Sequence, residues 1–330
     1  MLCEHCKKEK VNMKRPETGE KLCKSCFSFA FEEEVYQTIQ RFELIKKGDV
    51  VAIGVSGGKD STVLMHILHV LNQRHSMGFQ IQLVCIDEGI TGYRDNALDT
   101  VKKNSEIYNL PLTILSFSDL FNGWTLDDIF KATKTKETCT YCGIFRRRSL
   151  DIGAQRVGAT KVAVGHNADD VAETILLNVL RGDTVRYFRS VDVKTDGIEQ
   201  KHEAGNEQTL TIAPRIKPFA LQNQKEIVLY AHYNKLLYYA VECPYARTAF
   251  RRFPRGYLVK KQVSDPGVMR RMIEGSIRYQ TQVPLQQSES EIKYCQKCGA
   301  ASNHDVCMAC KLLERLAAAH ADRQIQQDPE

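Results

Sequence analysis

The stretch at residues 50–61, VVAIGVSGGKDS, constrains the fold of this chain more than any other. Its first part is a short run of apolar, mostly β-branched residues, which is typical of a strand buried on both faces of a parallel sheet. Two glycines, Gly57 and Gly58, then allow the backbone to turn tightly and to approach a ligand. From Thr62 onward apolar residues recur at helical spacing. A strand, a bare turn and a helix N-terminus in succession predict an anion-binding site.

The turn and the side chains beside it are the predicted phosphate-binding residues. They are Ser56, Gly57, Gly58, Lys59, Asp60 and Ser61. A Walker A loop is the nearest alternative, because Gly54, Gly58 and Lys59 share its spacing. That motif needs a hydroxyl for Mg²⁺ directly after the lysine, where this chain has Asp60. The compact SGGKDS instead resembles the PP-loop of the ATP pyrophosphatase superfamily, which implies ATP binding and an adenylated intermediate.

Length and composition restrict the class of protein. A chain of 330 residues, 43% of them hydrophobic, can form one large α/β domain with small appendages, and its net charge of +6 permits an anionic partner. The N-terminal MLCEHCKKEK has no apolar stretch, so no signal peptide is expected. No run reaches the roughly 18 apolar residues of a membrane span. We therefore expect a reducing, cytoplasmic environment, where paired cysteines hold metal more often than they form disulfides.

Eight of the twelve cysteines form two sets with the spacing of zinc ribbons. The first is Cys3, Cys6, Cys23 and Cys26, and the second is Cys295, Cys298, Cys307 and Cys310. Each C-x2-C turn can present two thiolates to one ion, and two turns complete a tetrahedron. The sets predict two structural Zn²⁺ ions, one on each side of the catalytic domain. The expected boundaries are 1–30 for the first ribbon, 31–285 for the PP-loop domain, 290–316 for the second ribbon and 317–330 for a flexible tail.

Short apolar runs separated by helical patterns predict the other strands of the main sheet, at residues 81–86, 112–117, 161–165 and 210–212. Pro214 and Pro218 are predicted to close the last strand, which follows a polar surface insert at 191–209. Because strands and helices alternate, we expect a Rossmann-like α/β fold with a parallel sheet.

Polar residues follow two of these strands, at the edge where open α/β sheets bind ligands. The candidates are Asp87, Gly165, His166, Asp169 and Asp170. Asp87 could reach the ATP hydroxyls or Mg²⁺. Asp169 and Asp170 could hold Mg²⁺ on the phosphates, or one could accept a proton from the attacking group. The structural alternative is that Asn167 or Asp169 caps the next helix and leaves another residue free.

A third C-x2-C pair, Cys139 and Cys142, has no second pair nearby, and Cys243 is the remaining candidate partner. Three thiolates could leave one iron of a [4Fe–4S] cluster open to bind a sulfur atom. The same thiols could instead carry a persulfide, form a transient disulfide, hold a structural metal or stay free. These alternatives cannot be separated by thiolate number and spacing.

Basic residues suggest an RNA partner. Three arginines at 146–148 follow the cysteine pair, and they point in different directions around a predicted helix. Residues 247–261 contain six basic residues, no acid and three aromatic rings, a composition suited to phosphate pairing and base stacking. A solvated basic face is the simpler alternative.

Taken in order, the motifs identify a family. SGGKDSTVL, CTYCGIFRRR, GHNADDVAETILLNVLRGD, ECPYA and the two ribbons resemble the tRNA 2-thiouridine synthetases over residues 1 to about 315. The resemblance implies ATP-dependent replacement of the C2 oxygen of wobble uridine 34 by sulfur in tRNAs for Lys, Glu and Gln. It also implies a ubiquitin-like carrier with a thiocarboxylate as sulfur donor and a second thiolation subunit as partner. The oligomeric state is left open, with a homodimer as one option.

The resemblance also implies roles for the candidate residues. The uridine O2 would attack the α-phosphorus of ATP, and sulfur held at Cys139, Cys142 and Cys243 would then displace AMP from C2. Some relatives have a lysine where this chain has Arg146. Because the pKa of arginine is too high for proton transfer, charge stabilisation is its expected role. Two alternatives are another PP-loop synthetase, which leaves the three cysteines idle, and a catalytically silent RNA-binding scaffold, which leaves SGGKDS unexplained.

Overall fold

A parallel β-sheet organises the chain. The computed structural model describes residues 1–133, 138–199, 211–245, 251–282 and 293–327. The sheet strands are β3 (Val50–Val55), β4 (Gln80–Asp87), β5 (Leu112–Ser116), β6 (Lys161–Ala163) and β9 (Arg215–Ile216), in the order β5-β4-β3-β6-β9. All four pairings are parallel, so the predicted α/β fold is confirmed. Because β3 lies between β4 and β6, the segments that follow these three strands meet at one edge.

The helices cover the sheet, and short strands lie in the ribbons and the insert. The helices are α1 (Lys24–Arg41), α2 (Lys59–Arg74), α3 (Arg94–Tyr108), α4 (Phe117–Leu120), α5 (Leu126–Thr133), α6 (Thr138–Arg156), α7 (Ala168–Arg181), α8 (Thr184–Val191), α9 (Gln224–Tyr233), α10 (Arg252–Ser264), α11 (Val268–Gln282) and α12 (Met308–Gln327). The short strands are β1 (Met13–Lys14), β2 (Lys21–Leu22), β7 (Ile198–Glu199), β8 (Thr211–Ile212), β10 (Lys293–Tyr294) and β11 (Ala301–Ser302). None of the described helices has the length and apolar character needed to cross a membrane.

Alternate residues of the central strands face two separate cores. Val51 and Ile53 of β3 pack with residues of α1, α2 and α9, whereas Ala52 packs with residues of α5, α6 and α12. Successive side chains of a strand point to opposite faces, so the sheet is buried on both sides. This explains why β3 reads as a continuous apolar run.

The predicted last strand is wrong. Residues 211–212 form β8, which pairs with β7 in a separate antiparallel ribbon, and the fifth strand of the main sheet is β9. Pro214 does not end a strand but directly precedes β9. Its carbonyl accepts the N–H of Val162 at 2.9 Å, and the N–H group that proline lacks is not used in this pairing. Residues 200–209 of the predicted insert and Leu210 of the predicted strand lie outside the described part.

Both ribbons pack on the central domain. Helix α1 starts inside the first ribbon, with Cys23 as its N-cap, and its residues Phe27 and Phe31 are fully buried in the main core. The buried Arg15 pairs with Glu226 of α9 at 2.8 Å. In the second ribbon, α12 packs against α5 and α6 and continues past residue 316 to Gln327.

Candidate active site

The turn at residues 56–61 connects β3 to α2, as the sequence predicts. Ser61 Oγ donates to the carbonyl of Gly58 at 3.0 Å and accepts the backbone N–H of Ser56 at 3.2 Å. Gly58 is the N-cap of α2 and has no side chain that could bond the first N–H groups of the helix. These N–H groups and the positive end of the helix dipole are therefore available to a phosphate.

Two glycines bring neighbouring segments close to this turn. Gly57 has a φ of +82°, and a Cβ on it would lie 2.6 Å from the carbonyl oxygen of Ala97 in α3. A Cβ on Gly165 would lie 3.1 Å from the backbone nitrogen of Ser61. Glycine at these positions lets α3 and the segment after β6 pack directly on the turn.

A side-chain hydrogen bond joins the turn to the start of α7. Asn167 Nδ2 donates to Asp60 Oδ1 at 3.1 Å, and Asp60 Oδ2 lies 2.7 Å from Lys59 Nζ. Asn167 also caps α7 in a reciprocal pair with Asp170, as one of the alternatives predicts. The N-termini of α2 and α7 therefore lie beside one another at the same site.

The candidate carboxylates are held differently. Asp169 Oδ2 accepts the backbone N–H of Gln224 at 2.8 Å, and burial raises the pKa of Asp169. Asp170 Oδ1 lies 3.5 Å from Arg255 Nη2, and Asp87 Oδ1 accepts a backbone N–H at 2.9 Å. Within the described ranges these carboxylates do not converge as three ligands of one ion. Mg²⁺ would fit here with phosphate oxygens completing its ligands.

The structure brings the three remaining candidate cysteines into one neighbourhood. Cys139 and Cys142 lie in the first turns of α6, and Cys139 Sγ donates to the carbonyl of Tyr245 at 3.4 Å, two residues beyond Cys243. Burial raises the pKa of Cys243 and raises that of Cys142 to about 11, and each thiolate would feel the charge of the others. The three sulfur atoms are not gathered within 4.8 Å, as ligands of a single ion would be. A wider spacing fits a cluster in which each thiolate binds its own iron.

Arg146 lies one helical turn after Cys142 and contacts it. Arg146 Nη2 donates to Cys142 Sγ at 3.4 Å and lies 2.8 Å from Glu88 Oε1. Burial alone would lower the pKa of Arg146, but Glu88 and Cys142 raise it above its ordinary value. The side chain therefore stays charged, in agreement with charge stabilisation rather than proton transfer.

Glu88 and Arg94 are site residues that the sequence analysis missed. Arg94 Nε lies 2.9 Å from Glu88 Oε2, and Arg94 Nη1 donates to the carbonyl of Ser56 at 2.8 Å. Both side chains are only 4% exposed. The available signal was a carboxylate at the end of β4 followed by an arginine at the start of α3, where a buried ion pair can form.

A backbone hydrogen bond also links the turn to the cysteine segment. The N–H of Tyr239 donates to the carbonyl of Gly57 at 2.8 Å, four residues before Cys243. The turn at residues 56–61 and the three cysteines are therefore neighbours in space although they are distant in sequence.

Arginines of the predicted RNA-binding segment lie at the mouth of this site. Arg251 Nε and Arg255 Nε lie 2.9 Å and 2.8 Å from the two carboxylate oxygens of Glu173, which is 2% exposed. Residues 247–250 of that segment lie outside the described part. His166 lies at the surface.

A second group of arginines surrounds Arg147. Loss of water around its guanidinium lowers the pKa of Arg147, and the positive charges of Arg215, Arg186 and Arg251 lower it further. Arg215 pairs with Asp151 at 2.7 Å, which offsets part of this charge. The surface around Arg147 is therefore positive.

The two four-cysteine sets fit a zinc ion each. In each set the four sulfur atoms lie within 4.8 Å of one another. Burial raises the pKa of a thiol, but backbone N–H groups, first those of Cys6 and Cys23, bring the pKa of Cys3 down to about 6. Four convergent cysteine sulfurs are the donor set of a closed structural zinc site.

The chain is similar to known proteins over most of its length. The PP-loop domain family matches residues 29–261, and a zinc-ribbon family matches residues 293–324. Cytoplasmic tRNA 2-thiolation protein 1 of Dictyostelium discoideum is 46% identical over 319 residues, covering 96% of this chain and 83% of that protein. The protein of the same name from Drosophila melanogaster is 44% identical over 318 residues, covering 96% of this chain and 88% of that protein.

A solved structure shares the whole architecture. The U34-tRNA thiolase NcsA from Methanococcus maripaludis, solved with its [4Fe-4S] cluster, superposes with a TM-score of 0.77 at 28% identity over 96% of both chains. Domain match, sequence identity and architecture agree. The chain therefore belongs to the cytoplasmic tRNA 2-thiolation protein 1 family of PP-loop proteins.

Proposed function

We propose that this chain is an ATP-dependent tRNA sulfurtransferase that replaces O2 of wobble uridine 34 by sulfur. The observation that carries the proposal is the shared neighbourhood of the 56–61 turn and the three cysteines, connected by Arg146, Glu88 and Arg94. Activation of a nucleotide and delivery of sulfur to it require these two functions at one place. The family of tRNA 2-thiolation proteins to which the chain belongs supports the same activity.

In the first step, the turn and the N-terminus of α2 would hold the phosphates of ATP. Lys59 would then exchange Asp60 for a phosphate, because the more highly charged partner attracts it more strongly. The uridine O2 attacks the α-phosphorus, pyrophosphate leaves, and AMP remains on C2 as a leaving group. Asp169 is the better placed proton acceptor by pKa, since burial raises its value, whereas Asp170 faces Arg255 and suits Mg²⁺ or orientation.

In the second step, sulfur would displace AMP from C2 beside Cys142. A [4Fe–4S] cluster held by Cys139, Cys142 and Cys243 would supply that sulfur as bound sulfide. A persulfide on one of these cysteines would instead attack C2 with its outer sulfur, and a second cysteine would then break the S–S bond and form a disulfide with the first. Arg146 lies beside the Cys142 sulfur and would balance the negative charge that develops on the leaving AMP and the incoming sulfur. The solved thiolase carries a [4Fe-4S] cluster, which supports the first of the two sources.

The positive surface supports tRNA as the substrate. Arg147 lies close enough to Arg215, Arg186 and Arg251 for their charges to act on it, and contacts between arginines and phosphates supply most of the affinity for nucleic acids. The proposed substrates are the tRNAs for Lys, Glu and Gln. The proposed partners are a ubiquitin-like sulfur carrier, a second thiolation subunit and a second copy of this chain in a homodimer. These finer partners rest on the family alone.

Pyrophosphate release and nucleoside analysis test the proposal. We expect pyrophosphate release that depends on added tRNA, and 2-thiouridine in tRNAs for Lys, Glu and Gln once a sulfur source is added. Cys142→Ala should retain tRNA-dependent pyrophosphate release and lose 2-thiouridine. Pyrophosphate release without tRNA would indicate another PP-loop synthetase, and no release with any tRNA would indicate an RNA-binding scaffold.

A further inference from the structure

We propose that Glu88 is a positioning residue that aligns the sulfur side of the site with the ATP side. The names of the two sides rest on the proposed function, whereas the contacts do not. One carboxylate oxygen of Glu88 lies 2.8 Å from Arg146 Nη2 and the other lies 2.9 Å from Arg94 Nε. A single buried side chain therefore holds one arginine from each side.

The position of Glu88 is itself fixed. It follows β4 directly, and its backbone carbonyl accepts the N–H of Leu126 at the start of α5 at 2.8 Å. With its side chain 4% exposed, the carboxylate cannot turn to water without losing both arginines. It therefore provides a rigid point between the sheet and α6.

On the sulfur side, Glu88 orients a side chain that would otherwise be mobile. Arg146 is 49% exposed, and the sulfur of Cys142 at 3.4 Å is a weak acceptor for it. A free arginine samples many rotamers, and the ion pair with Glu88 selects the one that lies over Cys142.

On the ATP side, Glu88 holds the arginine that shapes the PP-loop. Arg94 donates through Nη1 to the carbonyl of Ser56 at 2.8 Å, and through Nη2 to the carbonyl of Ile86 and to Cys85 Sγ. These bonds join the first residue of the turn to the end of β4. Without the carboxylate, Arg94 would carry an uncompensated buried charge and would leave this position.

Equilibrium binding of ATP to protein without added iron tests the role of Glu88 on the ATP side of the site. We expect Glu88→Gln, which removes the buried ion pair with Arg94, and Arg94→Lys, which removes the hydrogen bond to Ser56, each to weaken ATP binding about tenfold. Arg146→Gln should stay within about twofold of the wild type, because Arg146 has no bond to the turn. Glu226→Gln is the matched control, since Glu226 is also a buried carboxylate paired with an arginine, Arg15, but lies at the first ribbon.

Thiolation at saturating ATP tests the sulfur arm. At saturating ATP the thiolation rate of Arg94→Lys should return to that of the wild type, whereas the rates of Glu88→Gln and Arg146→Gln should stay low. The double variant Glu88→Gln/Arg146→Gln should thiolate no more slowly than Arg146→Gln alone, because both changes remove the same contact. tRNA-dependent pyrophosphate release at saturating ATP should persist in all three single variants.

Three results would overturn the proposal. The first is an ATP affinity of Glu88→Gln that equals that of the wild type. The second is that the defects of Glu88→Gln, like those of Glu226→Gln, are explained by the fraction of folded protein alone. The third is that the thiolation defects of the two single variants add up in the double variant. If Glu88→Gln does not fold, Glu88→Asp gives the same readouts, because its shorter carboxylate cannot reach both arginines. A wild type without tRNA-dependent activity would refute the proposed function, while the ATP-binding arm would still decide the role of Glu88.

Discussion

Asn167 donates a hydrogen bond from Nδ2 to Asp60 Oδ1 at 3.1 Å, and so connects the caps of two helices that start at one site. The bond fixes the carboxylate that neutralises Lys59 while the site holds no phosphate. The helix start after β6 is therefore part of the proposed ATP-binding site.

Asn167→Ala should lower the free energy of unfolding by about 1 kcal/mol, because α7 loses its N-cap, and should also weaken ATP binding. Denaturant unfolding and equilibrium ATP binding measure the two effects. Asp183→Ala removes the N-cap of α8 and is the matched control, which should lose similar stability and keep its ATP affinity. Equal ATP affinity in both variants would contradict the link between Asn167 and the turn.

Gly57→Ala should abolish ATP binding and cost more than the about 1–2 kcal/mol of a left-handed residue, because its Cβ would meet the carbonyl of Ala97 at 2.6 Å. Gly158→Ala has a φ of +62° and no atom within 4 Å of the added Cβ, so it isolates the conformational cost. ATP affinity and urea unfolding of the two variants give the comparison. A Gly57→Ala protein that binds ATP normally would show that α3 does not press on the turn.

Arg147→Gln should weaken tRNA binding and reduce the slope of log affinity against log salt by about one, since one phosphate contact is lost. Arg156→Gln changes an exposed arginine at the far end of the same helix and should leave the slope unchanged. Filter binding of tRNA at several salt concentrations provides the slopes. Identical slopes for both variants and the wild type would exclude Arg147 from the RNA surface.

The wild type should gain stability relative to Lys217→Met as pH rises through the range from about 8 to about 10. Burial lowers the pKa of Lys217 to about 8 from its ordinary value of 10.5, so across this range the unfolded chain binds a proton that the folded chain has released. The unfolded state then binds more protons, and stability increases with pH by at most about 1.4 kcal/mol per unit. Urea unfolding of both proteins at several pH values measures the difference, and a constant difference would refute the shift.

Cys23→Ser should reduce the zinc content from about two ions per chain to about one, and should destabilise the PP-loop domain as well as the ribbon. Cys23 caps α1, and α1 carries Phe27 into the main core, so loss of the ribbon uncovers that core. Metal analysis and thermal unfolding provide the two measurements. Cys85→Ala removes a buried cysteine outside both sets and should keep both ions.

Local patterns predicted much of the fold. The apolar runs of β3, β4 and β5 and the glycine turn after β3 are contiguous signals, and each appears where expected. The fifth strand was misplaced because β9 has two residues and follows a proline, so no periodicity marks it. Its place depends on pairing with β6, which is a long-range contact.

In the candidate site, too, the local motifs were predicted and the long-range contacts were not. The residues of the turn and the cysteine pairs belong to motifs with fixed spacing and could be named from the sequence. Glu88 and Glu173 could not, because their importance lies in Arg146, Arg251 and Arg255, which reach them from elements distant in sequence. A buried ion pair between distant residues has no spacing that a single sequence can reveal.

The packing of α12 on α5 and α6 affects how the protein is synthesised. Leu316 and Phe145 are both fully buried in the same core, so the outer side of the cysteine-bearing helix is covered by a segment that the ribosome makes much later. Until that segment emerges and folds, α6 exposes apolar surface to solvent. We therefore expect metal binding by the second ribbon to determine when the nascent chain buries the helix that carries Cys139 and Cys142.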